Sequence, residues 1–301
     1  MEPPPLLAGL GEVLLDRFPD GDRLGGAPAN VAWYARQLGA RGAVISAVGD
    51  DALGAGVLRR LSDNGLDVSA VAVDPAHPTG TVEVELSADG QPRYAIREDA
   101  AWDHIPAGPE ALGLAAGADI LAYGTLARRA PGSRKAMDAL VAATRPECLR
   151  VFDINLRPPF VGAAAATEGL RGAALLKLNN GEWPVLLGFL GLPGDGPPDA
   201  ERAGLLFGRA PGLRWVALTE GARGARLFAR DGRAWQSDAP AVRVADAVGA
   251  GDAFTAALAL DLWRGDDPGL ALRRACRVGA HVCSRPGATV ALPESWPAPF
   301  P

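Results

Sequence analysis

The sequence predicts an α/β fold: a mostly parallel central sheet between two helical layers, with a small separate β-sheet lid. Two patterns carry this. Short continuous apolar runs alternate with helix-period segments through most of the chain, as expected of strands covered on both faces. One stretch, 79–99, instead alternates apolar and charged residues in two halves, as an antiparallel hairpin does. At 301 residues the chain has the length of one large domain, and 48% hydrophobic with 22% charged residues is ordinary globular composition.

In chain order, VLLDRF (13–18) reads as a strand outside the main pattern, and Gly25-Gly26-Ala27-Pro28-Ala29-Asn30 enters a helix with Pro28 suited to its first turn. AVISAV (43–48) is a buried strand, followed by the helical DALGAGVLRRLSDNG. In the hairpin, Val82, Val84 and Leu86 alternate with Glu83 and Glu85, Ala88-Asp89-Gly90-Gln91 supplies the turn, and Tyr94 and Ile96 alternate with Arg93 and Arg97. DILAYG (119–124) precedes a helix around Ser133 to Ala143, and LRVFDINL (149–156), ALLKLN (174–179) and LRWVALT (213–219) are further buried strands. DAVGAGDAFTAALAL then opens a helix on glycines, and WPAPFP ends the chain as a tail. Residues 1–301 thus read as one domain, with a lid formed by about 13–24 and 79–103.

Several function classes are excluded. The net charge is −5 with no basic cluster, which argues against a nucleic-acid surface. The opening MEPPPLLAGLGEVLLD lacks a basic region and carries Glu12 in its apolar stretch, so it reads as neither a signal peptide nor a membrane span. Three scattered cysteines point to reduced thiols and a cytoplasmic location, and Cys276, His281 and Cys283 match no usual zinc spacing. Lys135 and Lys177 are the only lysines and neither follows a glycine, so there is no GKS/GKT phosphate loop. Nor is there an HRD/DFG pair, a GxSxG elbow, or a GxGxxG opening a helix.

What remains is a set of strand and helix ends. Gly249-Ala250-Gly251-Asp252 places bare amides and a carboxylate at a helix start, a turn with a cap or an anion site with a base beside it. Asp16 and Asn30 offer the acceptors and donors that grip a polyol, though each alone also suits a turn or a cap. Asn179-Asn180-Gly181-Glu182 either caps a helix or holds waters of a phosphate-bound Mg²⁺. Thr219-Glu220-Gly221-Ala222-Arg223-Gly224-Ala225 is a tight turn or a backbone surface for a nucleotide.

GGAPAN, DINLRPP, NNGE, TEGARGA and DAVGAGDAF, in that order, resemble the PfkB, or ribokinase-like, family of carbohydrate kinases, closest to its fructokinase branch, from about Gly11 to Ala288. The resemblance implies a ribokinase-like three-layer α/β/α sandwich with a β-sheet lid, and ATP-dependent phosphorylation of a free sugar such as fructose. It implies Asp252 as the base acting on the sugar hydroxyl and Gly249, Ala250 and Gly251 as the anion hole. Asp16, Gly26, Asn30, Arg97 and Arg157 become sugar-site residues, Arg157 facing sugar or phosphate. Asn179 and Glu182 match the element for Mg²⁺ and phosphate, and Thr219, Gly221 and Gly224 the ATP loop. Asp246, Ser284 and Gly287 fall where many members bind a monovalent cation such as K⁺. The resemblance also implies a homodimer through the apolar face of the lid, with Arg97 on the other face reaching the sugar.

Three departures stand out: Ala247 where the family usually has threonine, Ile154 for the proline of DPNLR, and the bulky Trp102 beside the expected sugar site. Kinases of 2-keto-3-deoxygluconate, ribose or a nucleoside share these motifs. A non-catalytic binding or regulatory protein on the same fold would be expected to lose Asp252 or the glycines, and this chain keeps them.

Overall fold

The computed structural model describes residues 3–296 apart from 19, 87–91, 161, 195 and 197, with only the backbone of 84–86 and 92–94. In chain order the strands are β1 (Leu6–Leu10), β2 (Leu14–Phe18), β3 (Gly21–Gly25), β4 (Arg41–Gly49), β5 (Asp67–Asp74), β6 (Gly80–Leu86), β7 (Pro92–Ile96), β8 (Ile120–Gly124), β9 (Leu149–Asp153), β10 (Leu175–Asn179), β11 (Trp215–Thr219), β12 (Ala225–Ala229) and β13 (Ala234–Ser237). The helices are α1 (Ala27–Gln37), α2 (Ala52–Asp63), α3 (Pro109–Gly117), α4 (Pro131–Ala143), α5 (Ala163–Arg171), α6 (Glu182–Phe189), α7 (Ala200–Arg209), α8 (Ala250–Arg264) and α9 (Pro268–Cys283).

Among the described residues the main sheet runs β13-β12-β11-β10-β9-β8-β1-β4-β5, parallel except where β12 and β13 turn back at one edge. Its strands bury both faces, as their unbroken apolar runs require. Leu7, Val151 and Leu175 pack with α1, α2, α8 and α9 on one side, while Leu6, Phe152 and Leu176 pack with α3 to α7 on the other. Cys148 and Cys276 are buried, unpaired thiols within this core, and Cys283 is half-buried. No helix among the described residues is long and apolar enough to cross a membrane.

The second sheet runs β3-β2-β6-β7, with β2 parallel to β6 and the other pairs antiparallel. The predicted hairpin is there, and its turn, 88–91, lies outside the described residues. Register decides what the hairpin's two faces do. Val82 pairs with both Asp16 and Ile96, so Asp16 shares the apolar face, where Leu14, Val82, Phe18 and Ile96 pack together. Arg97 follows Ile96 and is exposed, so it leaves the strand on the face away from Asp16. Asp16 and Arg97, both expected at the sugar, therefore lie on opposite faces of the small sheet.

Two further expectations change. Trp102 is fully buried, with a guanidinium, that of Arg129, 4.1 Å above its ring and Gly80 packed so close that a Cβ there would collide with the indole. It belongs to the core under the small sheet, so its bulk says nothing about the size of a sugar. At the other end Trp296 is no loose tail. Its ring lies 4.9 Å from that of His281 and its carbonyl accepts from Arg274 at 2.7 Å, while 297–301 lie outside the described residues.

Candidate active site

The carboxyl ends of the parallel strands and the start of α8 converge on one cleft, whose walls include Glu12, Pro28, Asp153, Asn155 and Thr255. Gly249 precedes α8 with φ 77°, and a Cβ on it would lie 2.1 Å from the Ala288 carbonyl oxygen. Only glycine fits there on both counts. No side chain caps α8, so the first-turn amides of Gly251 and Asp252 lack the i−4 partners that later turns have, while that of Ala250 makes a long 3.4 Å bond to the Ala247 carbonyl. Gly26 plays the matching part before α1: its φ is 111°, and a Cβ would lie 2.3 Å from the Glu12 carbonyl oxygen.

These two helix starts place Asn30 against Asp252. The Asn30 amide, itself buried, donates from Nδ2 to Asp252 Oδ2 at 2.8 Å across 222 residues of chain. Burial raises the Asp252 carboxyl to about 6; the Asn30 hydrogen bond and the charges of Lys177 and Arg157 oppose that rise, and Asp153 adds to it. Burial likewise lifts Glu12 to about 7 and Asp16 to about 6, with the Arg157 charge pulling both back. Arg157, exposed just after β9, is therefore the arginine whose charge reaches Glu12, Asp16 and Asp252 together. Glu12 Oε1 accepts from the Ala27 N–H at 3.3 Å at the start of α1, while its Oε2 is buried without a protein partner.

Beneath α8 lies an ion pair that the sequence reading did not single out. Lys177 on β10 stands in register with Asp153 on β9, and its Nζ donates to both carboxylate oxygens at 3.1 and 3.0 Å. Both residues are buried. The same Nζ would touch a Cβ on Gly251 at 3.2 Å, so a held ammonium sits beside the bare amides of the helix start. The available signal was an acid ending one apolar strand, LRVFD, and a lone lysine within the next, LLKLN.

Asn179 and Glu182 form reciprocal bonds at the start of α6. Asn179 Oδ1 accepts from the N–H groups of Gly181 and Glu182, and Glu182 Oε2 accepts from the Asn179 N–H at 2.8 Å. Glu182 Oε1 accepts from the Leu156 N–H at 2.9 Å, which ties α6 to the DINLR segment. The capping alternative is thus realised, and Glu182 is buried. Burial first, and then Asp153, raise its carboxyl. The Asp153 charge thus disfavours ionisation of both Glu182 and Asp252.

Thr219 ends β11, and the turn after it closes with the Glu220 N–H donating to the Gly224 carbonyl at 2.8 Å. The Glu220 carboxylate takes two bonds from Arg226, at 3.0 and 2.9 Å, which fixes the base of that turn. Gly221 and Gly224 both have positive φ. Asp246 Oδ2 accepts from the Gly287 N–H at 3.0 Å, while Ser284 Oγ donates to the His281 carbonyl, so these three residues lie on adjoining loops beside α9. Asp252, Asn30 and Gly249 to Gly251 are brought together with Lys177 and Asp153, and Arg97 is exposed just after β7.

Comparison with known proteins identifies the family and the fold. The model of the pfkB family of carbohydrate kinases matches residues 21–295. The probable fructokinase-5 of Arabidopsis thaliana is 29% identical over 319 residues, covering 96% of this chain and 94% of that protein. An uncharacterized sugar kinase from Pyrococcus horikoshii, solved in complex with ATP, superposes with TM-score 0.80 at 25% identity, covering 97% of this chain and 95% of that one. A putative ribokinase II from E. coli, solved with ATP and Mg²⁺, has the same fold with TM-score 0.80 at 21% identity, covering 95% and 94%.

Proposed function

The chain belongs to the pfkB family of carbohydrate kinases, and on that premise we propose that it transfers the γ-phosphoryl group of ATP to a hydroxyl of free fructose or a closely related sugar. The observation that carries this reading is the Asn30–Asp252 hydrogen bond at the uncapped start of α8, with Lys177 beside it. Asp252 takes the proton of the attacking hydroxyl, and a carboxyl raised to about 6 is a stronger base than an ordinary aspartate while still ionised at neutral pH. Asn30 orients that carboxylate. The amides of Ala250, Gly251 and Asp252, with the Lys177 ammonium, face the charge that gathers on the transferred group. Asp16, Gly26 and Arg157 line the sugar side, and Arg97, exposed just after β7, offers a further cation from the lid.

Thr219, Gly221 and Gly224 offer the surface for the adenine nucleotide. Bound Mg²⁺ neutralises phosphate charge, and Asn179 and Glu182 are the residues that would meet its waters. Asp246, Ser284 and Gly287 are the residues that would neighbour a K⁺ ion. We read the whole chain as one kinase domain whose small sheet is the lid, and its unpaired cysteines fit a cytoplasmic setting.

A panel of fructose, ribose, 2-keto-3-deoxygluconate and a nucleoside in a coupled ADP-release assay tests the substrate. Fructose is expected to give the highest kcat/KM, and a higher value for another member of the panel reassigns the acceptor. Glu182→Ala separates the metal role from the cap. Loss of an acceptor for two amides should lower Tm in either case, but only a Mg²⁺ role raises the Mg²⁺ concentration giving half-maximal rate.

The lid completes the reading as a homodimer contact. Its four strands leave β3 and β7 as edges, and such a small sheet gains by covering them. Sedimentation at micromolar concentration should show a dimer. Val84→Asp should weaken it, because a charge would enter the apolar face that the alternation of 82, 84 and 86 predicts. A monomeric wild-type protein would contradict the dimer and leave the chemistry untouched.

A further inference from the structure

Away from the cleft, two of the chain's three histidines meet where the small sheet joins the main domain. His77 lies on the segment entering β6, and Asp99 and His104 lie on the segment returning from β7. Their imidazole rings stack 3.6 Å apart with 11° between planes. His104 Nε2 is 2.8 Å from Asp99 Oδ1, and His77 Nε2 is 3.8 Å from the same oxygen. Among the described residues this is the group of three or more His, Cys, Asp or Glu side chains whose ligating atoms gather within 4.8 Å of one another.

Asp74 fixes the orientation of His77. His77 Nδ1 lies 2.8 Å from Asp74 Oδ2, and Asp74 is itself fixed by the N–H groups of Ala76 and His77 through Oδ1. A carboxylate accepting from Nδ1–H leaves the lone pair on Nε2, aimed at Asp99 and His104. Asp99 holds φ 52°, an uncommon conformation for a residue other than glycine, and its carboxylate faces the Nε2 edges of both stacked rings.

We propose that His77, Asp99 and His104 form a divalent-metal site of the imidazole–carboxylate type, suited to Zn²⁺, with Asp74 as its outer-sphere support. Two imidazoles and one carboxylate are the donors Zn²⁺ takes at ~2.0–2.2 Å, with a water completing four-coordination. The rings must tilt apart to share one ion, and side chains 27% and 37% exposed have room to do so. Binding uses the lone pair of His104 Nε2, so the neutral ring takes its Nδ1–H tautomer and the proton between Nε2 and Asp99 passes to Nδ1 through solvent. The ion then ties the entry and exit of the small sheet to one another. The site stands separate from Asp252, Lys177 and the NxxE segment, so it does not depend on the kinase reading.

Equilibrium dialysis of the full chain against Zn²⁺, with metal content measured per chain, tests the site. The wild type should retain one more Zn²⁺ than His77→Ala or His104→Ala, and His281→Ala should match the wild type. Asp74→Asn should weaken binding by about 10–100-fold, the usual cost of losing an outer-sphere carboxylate. Tetrahedral Co²⁺ absorption in the wild type, absent from the two alanine variants, reports the same ligands without any assay of activity. Equal Zn²⁺ content in the wild type and both folded alanine variants overturns the proposal. If an alanine variant fails to fold, His104→Gln replaces it, with the same expected loss.

Discussion

Asp252→Asn should lower kcat by ~10²–10⁴-fold, the range for loss of a positioned general base, while leaving the fold intact. The amide has nearly the shape of the carboxylate, and its oxygen still accepts from Asn30 Nδ2, so the contact between α1 and α8 survives. What disappears is the proton acceptor. Stability should move the other way. The folded carboxyl titrates near 6 and an unfolded one near ~3.9, so the folded state binds more protons between those values. Ionised Asp252 therefore costs stability, increasingly as pH rises through that window, and the variant's Tm at pH 8 should equal or exceed that of the wild type. In the wild type, kcat/KM should fall as pH drops below about 6, where the base becomes protonated. A folded variant with near-normal turnover would show that another group takes the proton.

Lys177→Met should bring the second large effect, on stability and turnover together. It leaves Asp153 buried at 7% exposure with its counter-charge gone. Breaking such a pair costs about 3–5 kcal/mol, which lowers Tm by roughly 10 °C in a chain of this size. It also removes the positive charge beside Gly251, and turnover should fall by ~10² or more, as when one donor of an anion hole is lost. The double variant Lys177→Met with Asp153→Asn separates the two roles. Removing both charges should recover much of the stability and none of the turnover. Recovery of turnover as well would reduce Lys177 to a counter-ion for Asp153.

The contrast between these two residues shows what the sequence could tell. Asp252 was legible because its signal is local: glycines and an acid immediately before a long apolar helix say where the helix starts and what stands there. The parallel sheet was legible for the same reason, since buried strands announce themselves by continuous apolar runs. Lys177 and Asp153 are 24 residues apart and meet only because β9 and β10 pair in one register, which no local pattern specifies. The register of the small sheet is hidden in a related way. Alternation separates its apolar from its charged positions, but which face carries Asp16 depends on how β2 lies against β6. Trp102 was misplaced by proximity: six residues after Ile96 the chain has already left the small sheet for the core. The Asn179–Glu182 pair was read both ways from its spacing, and the capping half is the one visible as hydrogen bonds.

The most direct measurement is the time course of ADP formation by the wild-type chain with MgATP, with and without free sugar, followed alongside the appearance of sugar phosphate. ADP should form only when sugar is present, with one sugar phosphate for each ADP, and Asp252→Asn should abolish nearly all of it under the same conditions. ADP formation at the same rate without sugar, or none with any sugar of the panel, would contradict a kinase built on Asp252.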